Sequence, residues 1–459
     1  MSLAHGRAYL AIPGPSVMPE EVLRAMHRAA PNIYEGDLIE MTAGLIPDLR
    51  AVARTRQHAA IYISNGHGAW EAALANTLQP GDRVLVPATG RFGHGWAEVA
   101  QGQGIAVDML DFGKRAPIDL NRVEEALRAD KAHGIKAVLA THVDTSTSVL
   151  NDIAGLRAVL DAVGHPALLM ADCIASLACD RFEMDAWGVD VMVAGSQKGL
   201  MVPPGLAFVF FSDKATEARR ALPLVSRYWD WTHRADPQMY YQYFGGTAPT
   251  HHLYGLRAAL DLIAAEGGVE AVWARHDRLA RAIWAACEAW GQEGPLELNI
   301  SDPTLRSRAV TALRIGAPHG SRLRSWVQDH AGVTLGIGLG MAEPGDPAWH
   351  GFFRIGHMGH VNAHMVLGAL GAIEAGLSAL DIPHGAGGLS AAARVISDKG
   401  GRNRSARDPG LNASGMWGAR ALARATSYLM KVPSRNSRIA WRNSSLEFIT
   451  IGPCQATGS

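Results

Sequence analysis

A lysine in a glycine-bounded turn is the first residue of this sequence whose type and setting suit chemistry. Lys198 follows the apolar run Val189–Ala194 and lies between Gly195 and Gly199. Most lysines near the end of a strand are solvated surface residues. Here the apolar stretch Leu200–Pro204 follows as well, and dry surroundings keep an amine partly unprotonated. An unprotonated amine is a nucleophile, so Lys198 is either an ordinary surface lysine or a residue that attacks a carbonyl carbon.

An aspartate ends an earlier apolar run. Asp172 follows Ala167–Ala171, where an acid either caps the next helix or reaches a ligand at the carboxyl edge of a parallel sheet. A buried carboxylate that faces a ring nitrogen keeps a pyridinium protonated, which lets the ring accept electrons. Asp172 ends one predicted strand, and Lys198 lies just beyond the next one along the chain.

A glycine-rich turn follows the first predicted strand and opens a helix. It spans Ser64–Glu71 and reads Ser-Asn-Gly-His-Gly-Ala-Trp-Glu. Backbone N–H groups and the helix dipole at such a position attract an anion. No Lys-Ser or Lys-Thr pair follows, as a P-loop requires, and the G-x-G-x-x-G pattern of dinucleotide sites is absent. Taken alone, the turn is a weak signal for a phosphate site, and it matches neither common type.

Seven short apolar runs position these groups. They are Ile61–Ile63, Val84–Val86, Ile105–Leu110, Ala137–Ala140, Ala167–Met170, Val189–Ala194 and Leu206–Phe211. Segments with helical spacing, such as 69–78 and 122–132, separate the first five runs. This order predicts an α/β fold with a mostly parallel seven-stranded sheet covered on both faces. The last two runs lie close together around Gly205, so we expect one antiparallel edge.

The pattern changes after about residue 250, where long helical stretches surround a few strands. The helices are predicted at 253–266, 269–290 and 362–380, and the strands at 309–315 and 352–355. We predict an N-terminal arm (1–20), a large domain (21–250), a smaller α+β domain (251–398) and a basic, disordered tail (399–459). The segment 223–250 is rich in aromatics and is expected to border the active site or a subunit contact.

Composition excludes several classes of function. The chain has 459 residues, of which 48% are apolar and 19% charged, an ordinary balance for a globular enzyme. No apolar run is long enough to span a bilayer, and four cysteines without metal-type spacing favour a reducing, cytoplasmic setting and no metal site. The tail carries ten basic and two acidic residues, so the rest of this neutral chain is acidic, which disfavours nucleic-acid binding.

Together the lysine, the aspartate and the glycine-rich turn resemble the class V aminotransferases of fold type I, and most of all the alanine/serine–glyoxylate group. The resemblance extends from Pro13 to about Ser397. Its most specific segments are Ser64–Leu74, Thr141–Leu150, Asp172–Leu206 and Phe353–Gly359. The resemblance implies pyridoxal 5'-phosphate as the cofactor.

The resemblance also implies a role for each matching residue. Lys198 would hold the cofactor as a Schiff base and carry a proton between substrate and cofactor, while Asp172 would pair with the pyridine nitrogen. Arg354 would bind the substrate carboxylate with its planar fork, near Gly14 of the N-terminal turn. The other cofactor contacts would be Asn65, Gly66, His67 and Gln197 at the phosphate, Phe92 on the ring, Thr145 at the ring hydroxyl, and Thr247.

Three features depart from the family pattern. Many relatives bring a tyrosine of the neighbouring subunit to the phosphate, three residues before a threonine; here Phe244 precedes Thr247 at that spacing. Phenylalanine donates no hydrogen bond, so either Tyr243 substitutes or the contact is lost. Phe92 stands where the family often has tryptophan. The segment 34–37 lacks the His-Arg-Ser-like sequence that borders the family's substrate pocket, so the substrate stays open.

We therefore predict a homodimeric aminotransferase that moves an amino group from serine, alanine or aspartate to glyoxylate or pyruvate in two half-reactions, with active sites near the subunit interface. Neither nucleic acid nor membrane is an expected partner. The alternative is pyridoxamine–pyruvate aminotransferase, which Phe244 and Tyr34 keep open. A nonenzymatic regulator that binds the cofactor is disfavoured, since the resemblance begins at residue 13 and leaves no room for a preceding DNA-binding domain.

Overall fold

The computed structural model describes residues 2–398, and the predicted tail at 399–459 lies outside them. The strands are β1 (Tyr9–Ala11), β2 (His58–Ser64), β3 (Arg83–Ala88), β4 (Ala106–Asp111), β5 (Ile135–Thr141), β6 (Val143–Asp144), β7 (Val149–Leu150), β8 (Leu168–Asp172), β9 (Val191–Gly195), β10 (Gly205–Phe211), β11 (Glu297–Leu298), β12 (Val310–Arg314), β13 (Val333–Ile337) and β14 (Phe352–Gly356).

The helices alternate with these strands in the first half of the chain. They are α1 (Glu20–Met26), α2 (Asp37–Ala53), α3 (Gly66–Ala75), α4 (Arg91–Gly102), α5 (Leu120–Ala129), α6 (Ile153–Val163), α7 (Asp213–Ala221), α8 (Thr232–Ala235), α9 (Thr250–Glu266), α10 (Val269–Gly291), α11 (His319–Ala331), α12 (Ala363–Ala379) and α13 (Gly388–Ser397). Short 3-10 turns lie at Tyr240–Tyr243, Pro303–Leu305 and Pro347–Gly351. None of these helices is long and apolar enough to cross a membrane.

The larger sheet has seven strands in the order β2-β10-β9-β8-β5-β3-β4. All seven predicted apolar runs form its strands, so the predicted α/β fold with a mostly parallel sheet is confirmed. Only β10 is antiparallel to its neighbours, β2 and β9. The connection from β9 to β10 is a short loop without a helix, and a parallel return needs a longer crossover. In the strand order, β10 lies one place inside the edge of the sheet, which is formed by β2.

Both faces of this sheet are covered, which explains why its strands are apolar without alternation. Every residue of β8 and β9 is buried. In β2, Ala59 and Ile61 belong to one hydrophobic core, whereas Ala60 and Tyr62 belong to another. Successive side chains of a strand point to opposite faces, so the sheet lies between the two cores.

A second sheet has five strands in the order β1-β13-β14-β12-β11 and packs with α10 to α13. The strands predicted at 309–315 and 352–355 are present as β12 and β14. The sequence did not reveal β1, which pairs in parallel with β13, because three residues carry no measurable periodicity. The arm at 1–20 thus contributes a strand to the second sheet, while the predicted domain boundaries stay a prediction.

The aromatic segment 223–250 is held against the edge strand by a buried arginine. Arg234 is 2% exposed and donates to the carbonyl oxygens of Ile61, Tyr228 and Tyr243 at 2.6–3.2 Å. Its guanidinium also lies over the ring of Tyr62, at 4.3 Å from the centroid. This segment therefore has a defined path despite its lack of periodicity.

Candidate active site

The candidate site lies at the carboxyl edge of the seven-stranded sheet. β2, β3, β5, β8 and β9 share one direction, so the loops that follow them open on one edge. Parallel sheets bind their ligands at this edge. The predicted residues on these loops are Asn65, Gly66 and His67 after β2, Phe92 after β3, Thr145 after β5, Asp172 at the end of β8, and Gln197 and Lys198 after β9.

The Lys198 side chain runs beneath the N-terminal turn. Its amine donates to the carbonyl oxygen of Pro13, and a Cβ atom on Gly14 would lie 2.6 Å from Lys198 Cδ and Cε. Gly14 also has a φ of +96°, a conformation that favours glycine. Ser16 ties the turn to the lysine loop, since its N–H donates to the carbonyl of Gln197 and its hydroxyl to that of Lys198. Gly14 therefore borders the lysine, as its predicted place near the site requires.

The surroundings of Lys198 perturb the pKa of its amine. Desolvation, and then the positive charge of Arg354, lower the pKa of the Lys198 amine to about 8, while Asp172 opposes this shift. About a tenth of the amine is consequently unprotonated at pH 7, far more than for an exposed lysine. Asp172 and Arg354 therefore both lie within electrostatic reach of the Lys198 amine.

The Asp172 carboxylate is buried with two hydrogen bonds. Its Oδ1 accepts the backbone N–H of Ile174 at 2.7 Å, and its Oδ2 accepts the indole N–H of Trp70 at 3.1 Å. Burial nevertheless raises the pKa of Asp172 to about 7, and the negative charge of Asp144 adds to this effect. A carboxylate in this condition is stabilised by a cationic partner.

The glycine-rich turn forms the N-terminus of α3. Asn65 is its N-cap, and its side-chain oxygen accepts the N–H groups of His67 at 3.1 Å and Gly68 at 3.4 Å. A Cβ atom on Gly66 would collide with the side chain of Ile174, so the turn must approach the loop after β8 closely. Two of the amides expected to meet an anion are thus paired with Asn65 here, and the helix end remains the positive pole of the turn.

A buried carboxylate joins the loops after β3 and β5. Asp144 accepts the N–H groups of Phe92 at 2.9 Å, Gly93 at 3.3 Å and Ser146 at 2.9 Å. It therefore acts as a turn former, and it fixes the position of Phe92 relative to Thr145. Sequence reasoning had assigned both residues to the cofactor ring.

Arg354 reaches the same loops from β14 of the second sheet. It is 6% exposed, and it donates from Nε to the carbonyl oxygen of Ile337 at 2.7 Å and from Nη1 to that of Thr145 at 2.9 Å. Burial lowers the pKa of Arg354 to about 10. Within residues 2–398 its guanidinium makes no ion pair with a carboxylate, so a structural salt bridge does not account for its burial.

Phe244 and Tyr34, which depart from the family pattern, have surroundings unlike those of the predicted residues around Lys198. Phe244 is fully buried and packs on Tyr240 at a ring distance of 5.7 Å, so it cannot extend toward another subunit. Tyr243 is half-buried and stays the candidate substitute. Thr247 is exposed and makes no hydrogen bond with the other predicted residues of the described chain. Tyr34 is 87% exposed and does not line the cluster around Lys198.

A cavity of about 240 Å³ adjoins Phe92 and His67, with Trp70 and Arg91 also in its wall. It lies beside the ring position where the family often has the larger tryptophan. A larger cavity of about 570 Å³ is lined by Trp187, Trp273 and Arg308, among others, and contains none of the predicted site residues. The candidate site is therefore assigned from the chemistry of its ionisable groups and not from cavity size.

Sequence reasoning missed one direct partner of the site. Trp70 was part of the glycine-rich motif but received no role, because its indole reaches Asp172 only through the packing of α3 on the sheet. Gln197 was assigned to the phosphate, and its side-chain oxygen is buried without a hydrogen-bond partner among the described residues.

Known proteins match both this sequence and this fold. Residues 8–356 match the family Aminotransferase class-V. The chain belongs to the class V aminotransferase family. L-aspartate–glyoxylate aminotransferase of Paracoccus denitrificans is 38% identical over 390 residues, which are 83% of this chain and 94% of the relative. Serine–glyoxylate aminotransferase of Arabidopsis thaliana is 38% identical over 80% of this chain and 90% of the relative.

Solved structures of the family superpose on the chain. Ureidoglycine–glyoxylate aminotransferase of Bacillus subtilis matches with a TM-score of 0.76 and 26% identity, over 86% of this chain and all of that one. Pyridoxamine–pyruvate aminotransferase of Mesorhizobium loti matches with a TM-score of 0.76 and 26% identity, over 85% of this chain and 98% of that one. The predicted family and fold type are confirmed, and this class V aminotransferase belongs to a pyridoxal-phosphate-dependent family.

Proposed function

We propose that this aminotransferase uses pyridoxal 5'-phosphate to move an amino group from serine, alanine or aspartate to glyoxylate or pyruvate. One observation carries the proposal: Asp172 and Arg354 are buried and Lys198 is half-buried around the carboxyl edge of the sheet, and within residues 2–398 none of the three makes an ion pair. A nucleophilic amine, an acceptor for a cationic ring and a receptor for a carboxylate are the three groups that this reaction needs.

The residues at this edge fit the cofactor. The buried Asp172 carboxylate, whose pKa lies far above its ordinary value, suits a protonated ring nitrogen. The Gln197 side-chain oxygen, which has no partner within residues 2–398, the positive end of α3 at Asn65 and the ring of Phe92 offer polar and apolar contacts for the rest. Lys198 would hold the aldehyde carbon, and Thr145 the ring hydroxyl. The cofactor supplies the electron sink that withdraws charge from the substrate α-carbon.

The chain's own residues then handle the proton and the substrate. With its pKa lowered to about 8, Lys198 Nζ can accept a proton at neutral pH and return it, as a general base and acid must. Arg354 would hold the α-carboxylate in a fixed, bidentate orientation, which presents the α-carbon to the lysine. The N-terminal turn at Pro13 and Gly14 covers the lysine and limits the access of water.

We infer further that the enzyme is a cytoplasmic homodimer with its sites near the subunit interface. Large apolar side chains are exposed in the two segments that sequence reasoning placed at the substrate pocket or a subunit contact: Tyr34 at 87%, Leu224 at 85%, Met239 at 60% and Tyr241 at 49%. A second copy would remove this surface from water. Analytical ultracentrifugation tests this, and a monomer at micromolar concentration would contradict it.

Half-reactions with a panel of amino donors test the main proposal. The purified holoenzyme is mixed with L-serine, L-alanine or L-aspartate alone, and the cofactor absorbance is followed. Conversion of the aldehyde band to the amine form, reversed by glyoxylate or pyruvate, is the expected result. No conversion with any of the three donors would refute the proposed substrates.

Pyridoxamine–pyruvate aminotransferase is the second candidate, and Phe244 favours it. That residue is buried where many relatives place a tyrosine at the phosphate, and a solved pyridoxamine–pyruvate aminotransferase is among the structural matches. Loss of a phosphate contact is compatible with a substrate that has no phosphate. Incubation of the apoenzyme with pyridoxamine and pyruvate distinguishes the two functions, since only the second candidate forms pyridoxal and alanine without added amino acid.

A further inference from the structure

Trp70 is a buried residue whose indole nitrogen contacts Asp172 of the candidate site directly. It lies on α3, is 1% exposed, and donates its indole N–H to Asp172 Oδ2 at 3.1 Å. The other carboxylate oxygen accepts the N–H of Ile174 at 2.7 Å. Each oxygen of Asp172 therefore has one donor from the protein and keeps a further lone pair.

The packing around Trp70 fixes the direction of that N–H. Its ring stacks on Trp96 at 6.0 Å with 14° between the planes, and it meets His67 and Phe92 edge-on at 4.8 and 6.4 Å. A tryptophan held on several sides by rings has little rotamer freedom, so its hydrogen bond constrains the carboxylate rather than following it. His67 and Phe92 are both predicted cofactor contacts.

We propose that Trp70 is a positioning residue for the cofactor, which holds Asp172 in the orientation that receives the ring nitrogen and keeps that carboxylate charged. This inference rests on the proposed pyridoxal 5'-phosphate site. Trp70 touches no substrate atom in this role and acts through Asp172.

Several charged or titratable groups share the surroundings of Asp172. Lys198 favours its charged form and Asp144 disfavours it, while the Cys173 thiol is adjacent in sequence and buried. The indole hydrogen bond favours the charged form, so its loss raises the pKa of Asp172 further above about 7. The effect of Trp70 is consequently expected to be greater at pH 7 than at pH 8.5, where more of the carboxyl is ionised in either protein.

The chain offers a matched control for a Trp70→Phe variant. Trp96 is fully buried and stacks on the same ring, but its indole nitrogen has no hydrogen-bond partner among the described residues. Trp70→Phe and Trp96→Phe each replace a buried indole by a smaller ring, and only the first removes a donor from Asp172. Similar thermal unfolding of the two variants would show that they perturb packing equally.

The measurement is the affinity of each apoenzyme for pyridoxal 5'-phosphate at pH 7 and pH 8.5, followed by absorbance and fluorescence. We expect Trp70→Phe to bind about tenfold more weakly than Trp96→Phe at pH 7, the usual effect of a hydrogen bond to a charged group. The difference should shrink at pH 8.5, and it should vanish in an Asp172→Asn background. Equal affinities of the two variants at both pH values would overturn the proposal.

A second measurement needs no tryptophan variant and remains available if Trp70→Phe does not fold. The apoenzyme is labelled with 15N-tryptophan, and the indole N–H resonances of the wild type and Asp172→Asn are compared. One strongly shifted resonance is expected, and no shifted resonance would refute the contact. If the wild-type apoenzyme itself does not bind pyridoxal 5'-phosphate, the proposed function fails; if it binds and only the variant comparison fails, the role of Trp70 alone is wrong.

Discussion

Two buried arginines in this molecule have opposite surroundings. Arg234 makes four hydrogen bonds to backbone carbonyls and lies over the rings of Tyr62 and Tyr228. Arg354 makes two such bonds, from Nε and Nη1, and its Nη2 has no partner within residues 2–398. Neither forms an ion pair there. The first guanidinium is satisfied by the fold itself, whereas the second keeps a free donor at the site.

The regions around Arg234 and Arg354 also differ in how far the chain supplies partners for their buried groups. In the aromatic segment, the buried guanidinium of Arg234 finds its hydrogen-bond acceptors in the chain. At the carboxyl edge of the sheet, the half-buried Lys198 and the buried Asp172 have pKa values of about 8 and about 7, far from those of exposed lysines and aspartates. Leaving charges buried without partners lowers stability, so their accumulation indicates a region arranged for a ligand.

The largest effect is expected from Lys198→Ala. Alanine can neither hold the aldehyde carbon nor move a proton, so turnover should fall by at least about 10⁴-fold. Borohydride reduction of the wild-type holoenzyme should attach the cofactor to Lys198, which peptide mass spectrometry detects. Lys214 is a suitable control because its amine already contacts the Ala167 carbonyl and Asp190. Attachment at Lys214 or Lys136 would contradict the assignment.

The pH dependence of apoenzyme stability should also reflect the lowered pKa of Lys198. The pKa of Lys198 is lower in the folded protein than in the unfolded chain, so the unfolded chain binds more protons between about pH 8 and 10.5. The contribution of this residue to stability therefore rises with pH across that window and is most unfavourable below it. Lys198→Met, which keeps an apolar stem without the charge, should be more stable than wild type at pH 7 in urea unfolding. Lower stability of Lys198→Met at pH 7 would contradict the burial argument.

Asp172→Asn ranks next. A neutral amide cannot stabilise a protonated ring nitrogen, and removing one partner of a buried charge pair lowers turnover by about 10²- to 10³-fold. The variant should retain some cofactor, because the other contacts remain. Half-reaction kinetics with L-alanine measure the loss, with Asp144→Asn as a control for a nearby carboxylate of structural role. Turnover within a few-fold of wild type would exclude the electron-sink role of Asp172.

Arg354→Lys should have a smaller but selective effect. An ammonium does not reproduce a bidentate contact with a carboxylate, so kcat/KM for L-serine, L-alanine and L-aspartate should fall by about 30- to 100-fold. The cofactor spectrum should stay unchanged, since this residue would hold the substrate. Unaltered kinetics with all three amino acids would exclude the role. Loss with amino acids but not with pyridoxamine would favour a second, carboxylate-independent mode of binding.

The sequence predicted the sheet because its strands are buried on both faces, and a continuous apolar run of five to seven residues is visible without a structure. It indicated Asp172 at the end of such a run and Lys198 in the turn just beyond the next one, and the family resemblance implied their roles. It could not predict the bond from Trp70 to Asp172, which depends on how α3 packs, nor the strand Tyr9–Ala11, which is too short to show a period.

Arg234→Met is expected to have the smallest effect on catalysis and a clear effect on stability. Methionine fills part of the space but leaves the carbonyl groups of Ile61, Tyr228 and Tyr243 without donors, which should lower the free energy of unfolding by about 2–4 kcal/mol. Arg234→Lys should recover part of this loss, because an ammonium can still donate to some of the carbonyls.

The decisive comparison is between Arg234→Met and Arg354→Met, since both variants remove a buried guanidinium in favour of the same side chain. Urea unfolding and half-reaction kinetics at 15 °C, where both proteins are folded, separate stability from activity. Arg234→Met should lose stability and keep kcat/KM per folded molecule within about threefold, whereas Arg354→Met should lose kcat/KM and keep most of its stability. The structural reason is the free donor of Arg354: a guanidinium that the fold does not fully use contributes less to folding than one with four backbone partners. If both variants lost stability equally and neither lost activity, burial without an ion pair would no longer distinguish a site residue from a structural one in this protein.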